Sequence, residues 1–295
     1  MKCPVCKNEI SIVWLKSENR HGRSLQEPHN EFNVYQCHAC GLLGLPEVET
    51  DESYYKLYYP QGYHVPTQNA LLGRAWGRVS SFLVKNKIDR IKRFVKTPCK
   101  LLDVGCGDGG FLKHLDKNMF DAYGLEPVKE AVERAKHAGL NVFKGNILQD
   151  RLAPESYDVV TLWHVFEHIK EPREALNRIN AMLKPGGVLA MSMPNVNSLA
   201  FRKGGKYWFH LDSPRHLWLY NETNINKLLL AENFQVEYCG YLPFEFPFDL
   251  LWSIKHSLLG KLFLLFYPLI KLMDRQNMMI VARKKKNSSH GQTDR

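Results

Sequence analysis

The string Leu101-Leu102-Asp103-Val104-Gly105-Cys106-Gly107-Asp108-Gly109-Gly110 constrains this chain more than any other. An apolar run enters it and a helix-patterned run leaves it, so it reads as a turn from a buried strand into a helix. Glycines at such a turn reach left-handed φ and put no Cβ between backbone and ligand. The free N–H groups of a following helix suit a negative group. Glu126 comes 21 positions after Gly105, at the end of the next predicted strand. A carboxylate there is placed to accept hydrogen bonds from two ribose hydroxyls.

The pattern around the loop alternates. Strands are predicted at 100–104, 122–125, 141–144, 157–162 and 188–193. Helices are predicted at 109–117, 128–137 and 171–183, the last stopped by Pro185-Gly186-Gly187. A helix at 222–232 and strands at 235–241 and 278–283 follow. This alternation implies an α/β protein with a parallel sheet covered on both faces. The chain divides into a cysteine-bearing segment 1–45, a linker and basic amphipathic helix 46–97, a nucleotide-binding core 98–241, an apolar insert with the last strand 242–283, and a basic disordered tail 284–295.

Cys3-Pro-Val-Cys6 and Cys37-His-Ala-Cys40 are separated by 30 residues. Each C-x-x-C bends into a knuckle that presents two thiolates, and two knuckles complete a tetrahedral zinc site. The expected module is a small structural zinc ribbon, since protein ligands close the tetrahedron. A redox dithiol would show a lone C-x-x-C beside a βαβ unit.

Formal net charge is +10, which points to an anionic partner without naming it. Residues 74–96 hold eight Lys/Arg and one Asp, and residues 283–295 hold five and one. The rest is close to neutral, so the core is no general polycation. MKCPVCKNEI has no apolar core of a signal peptide. The most apolar stretch, 250–272, is broken by Lys255, Lys261 and Lys271, and its longest uncharged piece, 262–270, would cross less than half a bilayer. A cytoplasmic protein is expected, with a peripheral contact at the inner face of an anionic membrane through the insert.

A nicotinamide-binding loop carries its third glycine one residue later than G-x-G-x-G does. The run LLDVGCGDGGFL, GLEP after the second strand, YDVVTLWHVFEHI at the fourth and LKPGGVLAMSMPN at the fifth together resemble the class I S-adenosylmethionine-dependent methyltransferases. Within that family the quinone and sugar methyltransferases are the most similar. The resemblance covers about residues 100–194. It implies a Rossmann-like fold with a mostly parallel seven-stranded sheet, and S-adenosylmethionine as cofactor. It implies that Asp103, Gly105, Cys106 (by its backbone) and Gly107 shape the methionine pocket. Glu126-Pro127 would meet the ribose, Asn146 and Ile147 the adenine, and Trp163 and His164 the cofactor at the end of the fourth strand. Many relatives have Asp where Asn146 stands.

Two clusters lie where the acceptor would enter. In His164-Val165-Phe166-Glu167-His168, His168 is the favoured general base. A divalent ion on Glu167 and His168 is a further reading, similar to some quinone methyltransferases. The string also matches the inverted zinc-protease pattern H-x-x-E-H, which needs a helix and a distal ligand instead. The second cluster is His210-Leu211-Asp212-Ser213-Pro214-Arg215-His216. Here Arg215 would grip a phosphate or carboxylate, His216 is a second base, and His210 and Asp212 are polar contacts. Tyr207, Trp208 and Phe209 would wall the acceptor.

The expected function is methyl transfer to oxygen or carbon of a small molecule, sugar, or lipid-linked glycan or quinone. An alternative is an RNA methyltransferase that uses the ribbon to hold RNA. Against it, the fourth-strand motif is LWHV rather than Asn/Asp-Pro-Pro-aromatic, and no aromatic–Arg stacking platform is evident. A non-enzymatic zinc-binding adaptor is the third reading.

Overall fold

A computed structural model describes residues 1–19, 31–50, 54, 57–58, 70–150, 152–242, 244–246, 248–254 and 266–286, with side chains of the first helix from Ser80 onward. The N-terminal strands are β1 (Ile12–Glu18), β2 (Glu31–Gln36) and β3 (Leu43–Gly44). Helix α1 (Ala70–Lys92) leads into β4 (Cys99–Val104), β5 (Phe120–Glu126), α2 (Lys129–His137), β6 (Val142–Lys144) and β7 (Tyr157–Trp163). Then come α3 (Pro172–Met182), β8 (Leu183–Pro194), α4 (Leu199–Gly204), β9 (Trp218–Leu219) and α5 (Glu222–Ala231). The chain continues through β10 (Phe234–Tyr241), α6 (Asp249–Ile254), α7 (Tyr267–Met273) and β11 (Asn277–Lys284).

Seven strands make one sheet in the order β10-β11-β8-β7-β4-β5-β6. Neighbours from β8 to β6 run parallel, and β11 is antiparallel to both β8 and β10. The expected mostly parallel α/β sheet is therefore present. Its central strands read as apolar runs because both faces are covered: Leu101, Leu102, Val159, Val160 and Leu162 are fully buried. The order places the loops after β4, β5 and β7 side by side at the carboxyl edge, where open α/β sheets bind ligands.

Two expectations are corrected. No helix spans 109–117; turns lead into a single 3-10 turn at Leu112–His114. Gly109 stands at φ 81° and Gly110 follows, and two glycines at a helix start each cost about 1 kcal/mol of helix propensity. At the far end, Lys284 belongs to β11, its Nζ donating to Leu183 O at 2.8 Å. Residues 287–295 lie outside the described residues, as does most of the expected linker and the 255–265 part of the apolar insert.

The cysteine segment does not form a sheet alone. β1, β2 and β3 continue into β9 of the main body, with Leu43 opposite Leu219 and Gly44 opposite Trp218. A Cβ on Gly44 would come within 2.3 Å of the Trp218 ring, so only glycine allows this approach. Arg173 clamps the seam by donating to Pro4 O and Val5 O. Truncating Trp218, buried beneath both parts, would cost about 3–5 kcal/mol.

Candidate active site

β4 ends in the glycine loop. Gly105 and Gly107 take φ of 70° and 56°. Gly107 N–H donates to Glu126 Oε2 at 2.9 Å, and Val128 N–H donates to Glu126 Oε1 at 2.9 Å. The buried Glu126 thus ties the loop to the end of β5, and each of its oxygens keeps a lone pair for a hydroxyl. A Cβ on Gly107 would meet nothing within 4 Å, so the space beside the loop is open there. These residues fit a nucleoside with a ribose diol. Pro127 stands exposed at the bend. Cys106 turns inward, since a Cβ on Gly124 would lie 2.5 Å from its Sγ; only its backbone belongs to the loop. Asp103 is buried and accepts from Thr161 Oγ1 at 2.6 Å. Burial pushes its carboxyl up to about 7 against that hydrogen bond.

After β6, Leu148 N–H donates to Asn146 Oδ1 and Asn146 N–H donates to Asp150 Oδ2, so Asn146 is built into its own turn. Ile147 is buried in the core beside it. After β7, Trp163 packs on Phe111 and under Lys87, whose Nζ sits 4.4 Å from the ring centroid.

His164 follows in left-handed conformation, at φ 54°. Its Nδ1 lies 3.3 Å from Glu167 Oε1 and its Nε2 2.9 Å from Glu245 Oε2. Burial disfavours a charged ring, but the two carboxylates outweigh it and raise His164 to about 9. Glu245 in turn pairs with the buried Lys87. Burial would raise Glu167 and Glu245, yet their cationic neighbours hold both carboxylates low, Glu167 at about 2. A chain of alternating charge therefore runs from α1 through the insert to the end of β7. Lys87 and Glu245 were not singled out by the sequence reading. Lys87 is one cation among the eight of residues 74–96, and the only signal for Glu245 is an acid within the apolar string PFEFPF.

Four imidazoles stand in a row: His164, His210, His216 and His168, with successive centroids 6.3, 6.4 and 4.7 Å apart. His168 Nδ1 donates to Arg215 O at 2.9 Å and His216 Nδ1 to His210 O at 2.7 Å, carbonyls being acceptors only. In a neutral ring of this tautomer the acceptor nitrogen is Nε2. Burial pushes His216 down to about 3. Metal-ligating atoms of Glu167, His168 and His216 lie within 4.8 Å of one another. Glu167 Oε1 faces His164 Nδ1 at 3.3 Å, and Oε2 completes no hydrogen bond among the described residues. This donor set, two imidazoles and a carboxylate, fits a divalent cation with open positions.

The other acceptor-side residues are engaged internally. Arg215 is buried against the Asp212 carboxylate, and its Nη1 donates to Tyr58 O at 3.5 Å. Trp208 Nε1 donates to Gln276 Oε1 at 3.2 Å. Tyr207 is half-buried, with Lys206 Nζ 5.4 Å from its ring centroid. His210 Nε2 lies 3.1 Å from Asp249 Oδ2, and burial keeps that ring neutral by pushing its pKa down. Asp249 also pairs with the fully buried Lys271.

The four cysteines converge. Cys3 Sγ is 3.5 Å from Cys40 Sγ, Cys6 Sγ is 3.4 Å from Cys37 Sγ, and all four lie within 4.8 Å. Thiolates at about 2.3 Å from a tetrahedral zinc would stand about 3.8 Å apart, so the cluster is compatible with that ion. Lys7 and Gly41 close the two knuckles in left-handed conformation, with N–H groups donating to Cys3 O and Cys37 O.

The sheet order and the glycine loop with its Glu126 tie are those of a class I S-adenosylmethionine-dependent methyltransferase. A family profile described as methyltransferase domain matches residues 78–238, over half of the 295 residues, and the chain belongs to that family. It is similar to the ubiquinone biosynthesis O-methyltransferase of Pseudomonas fluorescens (strain Pf0-1), 30% identical over 145 residues that cover 45% of this chain and 62% of that one. The protein of the same description from Aliivibrio fischeri (strain MJ11) is 35% identical over 105 residues, covering 33% and 45%. The match thus spans less than two thirds of these relatives. Among solved structures, a Thermotoga maritima S-adenosylmethionine-dependent methyltransferase, described as a possible histamine N-methyltransferase, aligns with TM-score 0.51 at 18% identity, over 73% of this chain and 96% of that one. The cyclase SpnF aligns with TM-score 0.51 at 18% identity, over 72% and 82%. A cyclase on this fold means that the fold alone does not fix the reaction.

Proposed function

We propose that this enzyme transfers a methyl group from S-adenosylmethionine to an oxygen or carbon of a small acceptor: a phenol or quinol, a sugar, or a lipid-linked member of these classes. When bound, S-adenosylmethionine supplies an electrophilic methyl group. The chain's own residues must align the acceptor and take its proton. The observation that carries this reading is His168. It lies one turn beyond the cofactor-side pair Trp163-His164, with its Nδ1–H held by the Arg215 carbonyl. His216, held low by burial, is a poor resting place for a proton and serves to pack and orient His168. The ubiquinone O-methyltransferase likeness supports a phenolic oxygen as the acceptor atom.

Turnover on a catechol, a hydroquinone and a nucleotide sugar tests it. His168→Gln should lower kcat by about 10²–10⁴-fold on the accepted class with cofactor affinity kept. Unchanged kcat would remove His168 as the base.

A second reading rests on the convergence of Glu167, His168 and His216, with Glu167 Oε2 completing no hydrogen bond among the described residues. A divalent cation on Glu167, His168 and His216 would polarise an acceptor oxygen, making His168 a ligand instead of a base. Turnover that stops on chelation and returns with magnesium or manganese would favour it. At the N-terminus, Cys3, Cys6, Cys37 and Cys40 are proposed to hold one structural zinc.

A further inference from the structure

We propose that α4, α6 and α7 form a docking platform that lays this protein on an anionic lipid bilayer. Each of the two later helices buries one face and leaves the other bare. Around α6, Leu250 is buried while Phe248 and Trp252 are exposed, Phe248 by 70%. On α7, Lys271 is fully buried while Leu269, Leu272 and Met273 are 59%, 56% and 69% exposed. Single exposed apolar residues are ordinary; a concentration of them on two short neighbouring helices marks an interaction surface. Trp14 of β1 extends the patch, stacking on Phe201 of α4 at 5.2 Å.

The patch stands on a fixed base. Asp249 and Lys271 pair in the interior and lock α6 to α7. Leu199 N–H donates to Asp274 O at 3.2 Å and Ala200 N–H to Asp274 Oδ1 at 2.8 Å, which locks the start of α4 to the end of α7. The other end of α4 lies against α6, where a Cβ on Gly204 would come 3.0 Å from Ser253 O.

Charge on the platform is sorted by sign. Its acids, Asp249 and Asp274, are both buried, with Lys271 between them. The exposed charges of α4, the turn after it and the end of α7 are Arg202, Lys203, Lys206 and Arg275, all cations, while β1 beside Trp14 carries Lys16 and Glu18. An apolar, tryptophan-bearing helical patch flanked by four cations complements a bilayer with anionic headgroups: the apolar side chains enter the interface and the cations meet phosphate. A second copy would instead bring like charges face to face. The proposal does not depend on which acceptor is methylated.

Flotation of the full chain with unilamellar vesicles tests it. The vesicles are phosphatidylcholine alone, or phosphatidylcholine with about 30 mol% phosphatidylglycerol, at low salt. Binding to the anionic vesicles only, weakened by salt, is expected. Each cation near such a surface is worth about fivefold in partitioning, so Arg202→Glu with Lys203→Glu should cost at least about 25-fold. Phe248→Ser with Leu269→Ser and Leu272→Ser should also abolish flotation. Both variants should keep wild-type Tm and S-adenosylhomocysteine affinity, which excludes unfolding. No flotation of the wild type, or equal flotation of both variants (the basic segment after β11 then sufficing), overturns the proposal. So does a wild-type dimer in sedimentation velocity that the apolar variant dissociates.

Discussion

Alanine at Gly105 and at Gly107, one at a time, separates the folding role of the loop from its cofactor role. Both residues sit in the left-handed region, φ 70° and 56°, where a side chain costs about 1–2 kcal/mol. At Gly105 the new Cβ would also stand 2.5 Å from Val165 Cγ2 and 3.0 Å from Cγ1. Such overpacking adds about 1–3 kcal/mol. Gly105→Ala should therefore lose about 2–5 kcal/mol of stability and Gly107→Ala only about 1–2 kcal/mol. For ligand binding, Gly107 is the telling site. Its Cβ would meet no protein atom within 4 Å and would project into the open space beside the loop. Urea unfolding reads the stabilities, and isothermal titration with S-adenosylhomocysteine reads the binding. Gly107→Ala should fold yet bind at least about tenfold more weakly, a loss of about 1.4 kcal/mol. If it binds as the wild type does, the space beside Gly107 is not the cofactor's and the reasoning fails.

Three further outcomes are expected. Protein purified without chelator should carry about one zinc per chain, and Cys37→Ser should lose it; metal analysis showing less than about half an equivalent contradicts the four-cysteine assignment. Asp103 should make cofactor affinity depend on pH. Burial raises its pKa to about 7, above its unfolded value, so stability is lost as the pH rises toward 7 and the group ionises. The α-ammonium of the ligand's amino-acid end, seated beside Asp103, favours the ionised form. Titration with S-adenosylhomocysteine should thus weaken by up to about tenfold per unit as pH falls below about 7, and Asp103→Asn should flatten the profile; a flat wild-type profile separates Asp103 from the ligand. Lys271→Met leaves the buried Asp249 without its lysine, and urea unfolding should show a loss of about 3–5 kcal/mol, whereas a loss below about 1 kcal/mol would mean the pair is not buried in solution.

Much of the fold and part of the site are legible in the sequence. Alternating apolar runs announced the central strands because a strand covered on both faces has no polar side to mask it. Gly105, Gly107 and Glu126 are legible because backbone conformation and a ribose diol demand those residue types. The cysteine pairs are legible because a metal fixes their spacing. What escaped detection depends on long-range pairing. β3 and β9 are two residues each, too short to carry a period, so the joining of the cysteine module to the core left no mark. Lys87 and Glu245, 158 positions apart, acquire meaning only when α1 and the insert meet over Trp163. Arg215 reads as a free guanidinium, yet its carboxylate partner is Asp212, three residues back. Gly109-Gly110 announced the loop but also removed the helix expected after it.

The central claim is methyl transfer from S-adenosylmethionine to a small or lipid-linked acceptor. Incubating the protein with methyl-labelled S-adenosylmethionine and separated lipid, polysaccharide and RNA fractions tests it most directly. Label is expected in the lipid or polysaccharide fraction, reduced in Gly107→Ala and in His168→Gln. Label in RNA alone would contradict it.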